Sequence, residues 1–152
     1  MPRLPPSQAP LPPAAKPAAA GEPGASTREM LAAIDRFLAA PLDATRNDTT
    51  RLSRFITESP DVIVTLTAQV GRWTTEDVVE DARPLLLLGF LAGNAGSQLR
   101  SGKKGDDVHA GVDGVLKVYR ALKTKRVTSP ALDQLLELEK QGKLSAYVDA
   151  HH

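Results

Sequence analysis

The residues whose types and spacing are suited to chemistry gather in one stretch, Gly93 to His109, "GNAGSQLRSGKKGDDVH". Glycines beside a lysine invite comparison with a phosphate-binding loop. Such a loop needs two glycines separated by four residues, then Lys and Ser or Thr, all following a strand. Here Gly96 and Gly102 are separated by five residues, Lys103 is followed by Lys104, and the preceding residues read as helix. Only the Gly-Lys pair fits, so the stretch is expected to be a helix end followed by a basic turn.

His109 lies close to Asp106 and Asp107, a set able in principle to hold a metal or to exchange a proton. If a helix starts at Asp106, Asp106 and His109 share a face at i and i+3. No further ligand is identifiable, so the expectation is a solvated helix cap with an incidental histidine. The carboxylates Glu76, Asp77, Glu80 and Asp81 form two like-charge i, i+4 pairs if they are helical, which reads as an acidic first turn. No catalytic residue, cofactor or metal site is assigned.

Charge gives a broader signal. Formal net charge is only +1, yet residues 26–83 carry 7 basic and 10 acidic side chains while residues 100–126 carry 8 and 3. Arg100, Lys103, Lys104, Lys117, Arg120 and Lys123 are therefore candidates for a surface that meets an anionic partner. Nucleic acid is the alternative occupant of that surface and is not favoured: among these charges only Tyr119 is available to stack on bases, and it falls on an apolar face. Trp73, the sole tryptophan, anchors a partner if exposed and packs in the core or as a helix staple if not.

The elements that must position these residues are helical. Ser26-Thr27-Arg28-Glu29 is a capping box, followed by Met30, Leu31, Ile34, Phe37 and Leu38 at helical spacing until Pro41. A second helix is expected over about 45–58, ending before Ser59-Pro60, where a cap and an N-terminal proline announce another. That next segment, "DVIVTLTAQVGRW", is rich in β-branched residues that favour strand. No other β-rich run exists to pair with it, so residues 60–70 are assigned to helix for consistency. Thr74-Thr75-Glu76-Asp77 reads as a further start.

From Leu85 to Ala92 the chain is apolar on every face, too short to span a bilayer and suited to a central helix. Gly89, Gly93 and Gly96 would give it a ridge open to close approach by a neighbour. Asp106 or Asp107 then caps a helix to about Lys125, Ser129-Pro130 starts another, Gly142 stops it, and Leu144, Tyr147 and Val148 form a short last helix.

Residues 1–25 hold 8 of the 12 prolines and cannot bury a core, so they are expected to be a disordered Pro/Ala-rich tail or linker. Residues 26–152 then form a single all-α domain, an irregular bundle or orthogonal stack of six to seven short helices. The absence of cysteine removes disulfides, thiolate metal sites and cysteine nucleophiles. No apolar run of signal-peptide length follows Met1, a soluble protein is expected, and its compartment and oligomeric state are left open. With caps and packing everywhere and no assembled catalytic set, the expected function is a non-enzymatic helical interaction or structural module with another protein as partner. A binder of nucleic acid or of another anionic surface through residues 100–126 is the first alternative. An enzyme with acid-base or metal chemistry near His109 is the second.

Overall fold

A computed structural model describes residues 25–151; of the expected tail, residues 1–25, all but Ala25 lies outside the described residues, and Ala25 begins the first helix. The fold is all-helical, with seven α-helices and no strand among the described residues. These are α1 (Ala25–Ala39), α2 (Arg46–Glu58), α3 (Ala68–Thr75), α4 (Arg83–Ser101), α5 (Val108–Lys123), α6 (Pro130–Lys140) and α7 (Leu144–His151). Single 3₁₀ turns at Pro41–Asp43 and Glu80–Ala82 lead out of α1 and into α4. No helix among the described residues is long and apolar enough to cross a membrane.

Helix α4 is the centre. It packs most extensively on α5 and also meets α1, α2 and α3, while α6 and α7 reach the bundle through α5. Its apolar sequence is explained by this enclosure, with Leu86, Phe90, Ala92 and Ala95 fully buried. The glycine ridge is used as its spacing implies. A Cβ placed on Gly93 would lie 2.2 Å from the Ala110 carbonyl oxygen, and one on Gly114 would lie 2.1 Å from that of Gly89. The α4 and α5 backbones therefore touch where neither has a side chain.

Most punctuation falls where the sequence puts it. Ser129 accepts from the Leu132 amide with Pro130 in the first turn of α6, and Asp107 caps α5 by accepting from the Ala110 amide. Gly142 follows α6 in the left-handed conformation (φ 72°), and Gly102 closes α4 in the same way (φ 71°). Trp73 is buried, with 3% of its surface exposed, among core residues that include Ile34, Leu86 and Leu116.

Three sequence expectations are corrected. Helix α1 already includes Ser26, so the Ser26–Glu29 capping box is not its start; the capping box that forms is at α2, where Thr45 and Asp48 each accept from the other's amide. Thr74 and Thr75 end a helix instead of starting one. Their hydroxyls donate back to the Val70 and Gly71 carbonyls in the last turn of α3, so Glu76, Asp77, Glu80 and Asp81 do not line up on a helix face.

The largest correction concerns residues 60–70. Helix α3 begins only at Ala68, and residues 62–67 are neither helix nor strand. Their β preference is expressed, but the partner is a side chain. Gln98 of α4 accepts from the Ile63 amide through Oε1 at 2.9 Å and donates to the Ile63 carbonyl through Nε2 at 2.7 Å. A glutamine amide thus stands in for the neighbouring strand that the sequence lacks.

Candidate functional site

The stretch from Gly93 to His109 does assemble a polar centre, although not the one its residue types first imply. Asn94 and Gln98, one helical turn apart on α4, are buried with 0% and 3% exposure. Buried amides must be paired, and these are. Gln98 Nε2 donates to Asn94 Oδ1 at 2.7 Å, the Asp107 amide donates to the same Oδ1, and Asn94 Nδ2 donates to Asp106 Oδ1 at 2.8 Å. Asp106 Oδ1 also accepts from the Thr65 amide, and Gln98 Oε1 accepts from the Gly105 amide. The network ties residues 63–65, helix α4 and the loop before α5 to one another.

This network answers the phosphate question. The amides of Lys103, Gly105 and Asp107, which a cradle would aim at a ligand, are committed to Ser101, Gln98 and Asn94. It also separates the aspartate and histidine set. Asp106 turns toward Asn94, Asp107 accepts from the Ser97 hydroxyl at 2.5 Å, and His109 turns away to meet Asp149 of α7 at 2.7 Å. Hydrogen bonding by Ser97 holds the Asp107 carboxyl below its ordinary pKa against the opposing effect of burial, with help from the Ala110 amide and the nearby His109. No cluster of three His, Cys, Asp or Glu suited to a metal ion exists among the described residues.

The six basic candidates divide into two groups. Arg100 pairs with Asp35, Lys117 with Asp113, Arg120 with Glu139 and Lys123 with Asp133. Lys123 also lies 5.2 Å from the Tyr119 ring, and the Tyr119 hydroxyl donates to Asp133 at 2.8 Å while accepting from the Ser129 amide. Burial, then the Asp133 hydrogen bond, raises the Tyr119 pKa, and the Lys123 contact lowers that of Asp133. Arg100 thereby fastens α4 to α1, Arg120 and Lys123 fasten α5 to α6, and the Lys117 pair lies within α5. Lys103 and Lys104 are exposed and make no ion pair among the described residues. Trp73, being enclosed, presents no surface for an anchor.

Sequence reasoning missed a concavity. Helices α1 and α2 diverge around a groove of about 490 Å³ whose lining includes Ala32, Ala33, Phe37, Ala40, Leu52 and Phe55. Glu29, Asp43 and Asp48 stand on its rim beside Arg36 and Arg51. Thr45 hydrogen bonds hold the Asp48 carboxyl below its ordinary pKa, and Arg51 lies 5.2 Å from the Phe55 ring. Glu29 and Asp43 make no ion pair among the described residues. The available signal was the alanine pair 32 and 33 on a helix otherwise patterned for burial, with Ala40 just past its end.

No known family, no curated protein and no solved structure matches this chain.

Proposed function

We propose that this domain is a non-enzymatic protein–protein interaction module whose docking site is the groove between α1 and α2. The groove itself carries this reading: an apolar floor of Phe37, Leu52 and Phe55, walls narrowed by alanine, and a charged rim. Small side chains along α1 leave room for a third helix, the usual occupant of a groove between two others. The rim carries three carboxylates, Glu29, Asp43 and Asp48, against the two guanidinium groups of Arg36 and Arg51, and this acidic excess selects the sign of its flanks. The partner is an amphipathic helix with an apolar stripe bordered by lysine or arginine.

Two labelled amphipathic helical peptides test this, identical in their leucine positions and bearing either lysines or glutamates on the flanks. The basic peptide binds and the acidic one does not. Ala32 is exposed on the groove wall, so Ala32→Arg blocks the groove without entering the core and weakens binding about tenfold or more. Equal binding of both peptides, or binding indifferent to Ala32→Arg, overturns the reading.

A further inference from the structure

The groove between α1 and α2 opens beside a length of this same chain. Residues 1–24 join the described residues at Ala25, four positions before Glu29, where the lining of the groove begins. Their sequence includes Pro10-Leu11-Pro12-Pro13-Ala14-Ala15-Lys16. Closely spaced prolines fix φ and remove amide donors, which favours an extended polyproline helix that needs no hydrogen-bonding neighbour. Such a segment loses little entropy on binding and is taken up by grooves lined with aromatic rings. Here Phe37 and Phe55 supply the rings.

The connection has a suitable sequence and length. Glu22-Pro23-Gly24-Ala25 places proline and glycine at the two central positions of a type II turn, which sends the preceding residues back along α1. Residues 17–24 supply about 25 Å of chain at the polyproline rise, ample for that reversal. From Pro10 to Lys16 the same rise gives about 19 Å. The α1 wall from Glu29 to Ala40 gives about 16 Å on the helical rise, so the segment matches the groove in length. Reversal fixes its direction, with Lys16 nearest Glu29 and Pro10 nearest the end formed by Ala44 and Asp48.

Charge agrees with this direction. Asp48 is held below its ordinary pKa first by Thr45 hydrogen bonds and further by the charges of Arg36 and Arg51, so both rim guanidinium groups act on its end of the groove. The exposed Glu29 at the opposite end is left to meet a cation, and Lys16 is the cation that the reversed chain brings there. We propose that residues 10–16 dock in the α1–α2 groove of their own chain. Leu11 and its flanking prolines cover Phe37 and Phe55, Lys16 meets Glu29, and a helical partner enters only by displacing them. This rests on the groove being a docking site and adds its regulation. A tether of this length holds the segment at an effective concentration of about a millimolar, so a weak contact suffices and the chain's own segment outcompetes that of a second copy.

The full chain has no cysteine, so Ala9→Cys gives a nitroxide label a unique attachment next to Pro10. In amide NMR the label broadens Ala44 and Asp48 most, at the groove end farther from Ala25. Leu11→Asp with Lys16→Glu, substitutions outside the helical bundle, abolish that broadening, and so does Ala32→Arg in the groove wall. The same pair of tail substitutions strengthens binding of the lysine-flanked amphipathic peptide about tenfold, the effect of freeing a groove that is open about a tenth of the time. Broadening centred on the residues next to Ala25, or unchanged by Leu11→Asp with Lys16→Glu, overturns the proposal. Equal broadening of a separate isotope-labelled chain by a spin-labelled one places the segment in a second copy and also overturns it. Equal peptide binding by parent and tail variant refutes displacement while the groove reading stands. Persistent broadening with no peptide binding by either protein supports the docked segment and removes only the helical partner.

Discussion

Helix α4 makes two junctions that work in opposite ways. Toward α5 it removes side chains, so that Gly89 and Gly93 lie on Ala110 and Gly114 with backbone against backbone. Toward residues 63–65 it does the reverse and inserts two buried amides, Asn94 and Gln98, in an otherwise apolar stretch. The first junction depends on shape and dispersion and tolerates no added volume. The second depends on hydrogen-bond satisfaction, where each missing partner leaves a buried polar group exposed to its full desolvation cost. A single helix thereby holds one neighbour by absence and the other by substitution for a strand.

The largest expected effect tests the first junction. Gly114→Ala places a methyl group 2.1 Å from the Gly89 carbonyl oxygen, a contact that only separation of the helices relieves. The expected loss of stability is more than about 3 kcal/mol, read from urea unfolding, despite the higher helix propensity of alanine. Gly71, in the interior of α3, has nothing within 4 Å of an added Cβ. Gly71→Ala therefore stabilises by about 0.5 to 1 kcal/mol. If both substitutions change stability equally, the seam is not held by close approach.

Breaking the second junction should cost somewhat less and look different. Gln98→Leu preserves volume but strips the Ile63 amide and carbonyl and the Gly105 amide of their partner. We expect a loss of about 2 to 3 kcal/mol, limited because the loosened segment admits water. Hydrogen exchange distinguishes it from a general weakening. The amides of Ile63, Thr65 and Gly105 lose protection while those within α6 keep it. Retained protection at Ile63 refutes the role given to Gln98.

The two junctions also differ in how far the sequence discloses them. Spacing alone exposes the apolar faces, and Ile34 and Phe37 on α1 and Val112, Val115 and Tyr119 on α5 are buried as their periodicity requires. The Gly89–Gly93 ridge is legible for the same reason. Residues 60–70 are hard to read because their β-branched composition has no second strand to answer it, and the partner is a side chain 35 positions away. Two clues were present: amides at positions 94 and 98 share a face of a helix otherwise built for enclosure, where they must find partners. The threonines at 74 and 75 were illegible in a different way, since a hydroxyl that caps the start of one helix bonds equally well to carbonyls at the end of another. The α1–α2 groove depends on how two helices diverge, which no local pattern encodes.

The smallest expected effect sits where the polar junction meets the start of α5. Asp107 accepts from the Ser97 hydroxyl and caps the helix through the Ala110 amide, and its carboxyl titrates below the ordinary value of 3.8. A carboxyl lowered on folding stabilises the native state wherever it is ionised. That contribution is fully present above the unfolded value of 3.8 and disappears as pH falls through the lower folded value. Asp107→Asn retains a side-chain oxygen able to cap, so it costs only about 1 kcal/mol at neutral pH. Below both pKa values the aspartate is itself neutral, and variant and parent converge. Urea unfolding at neutral pH and near pH 2.5 measures this, as the difference between the two proteins should shrink on acidification. A difference that persists unchanged in acid would show that Asp107 works through shape alone, and would make this corner of the polar junction resemble the glycine seam.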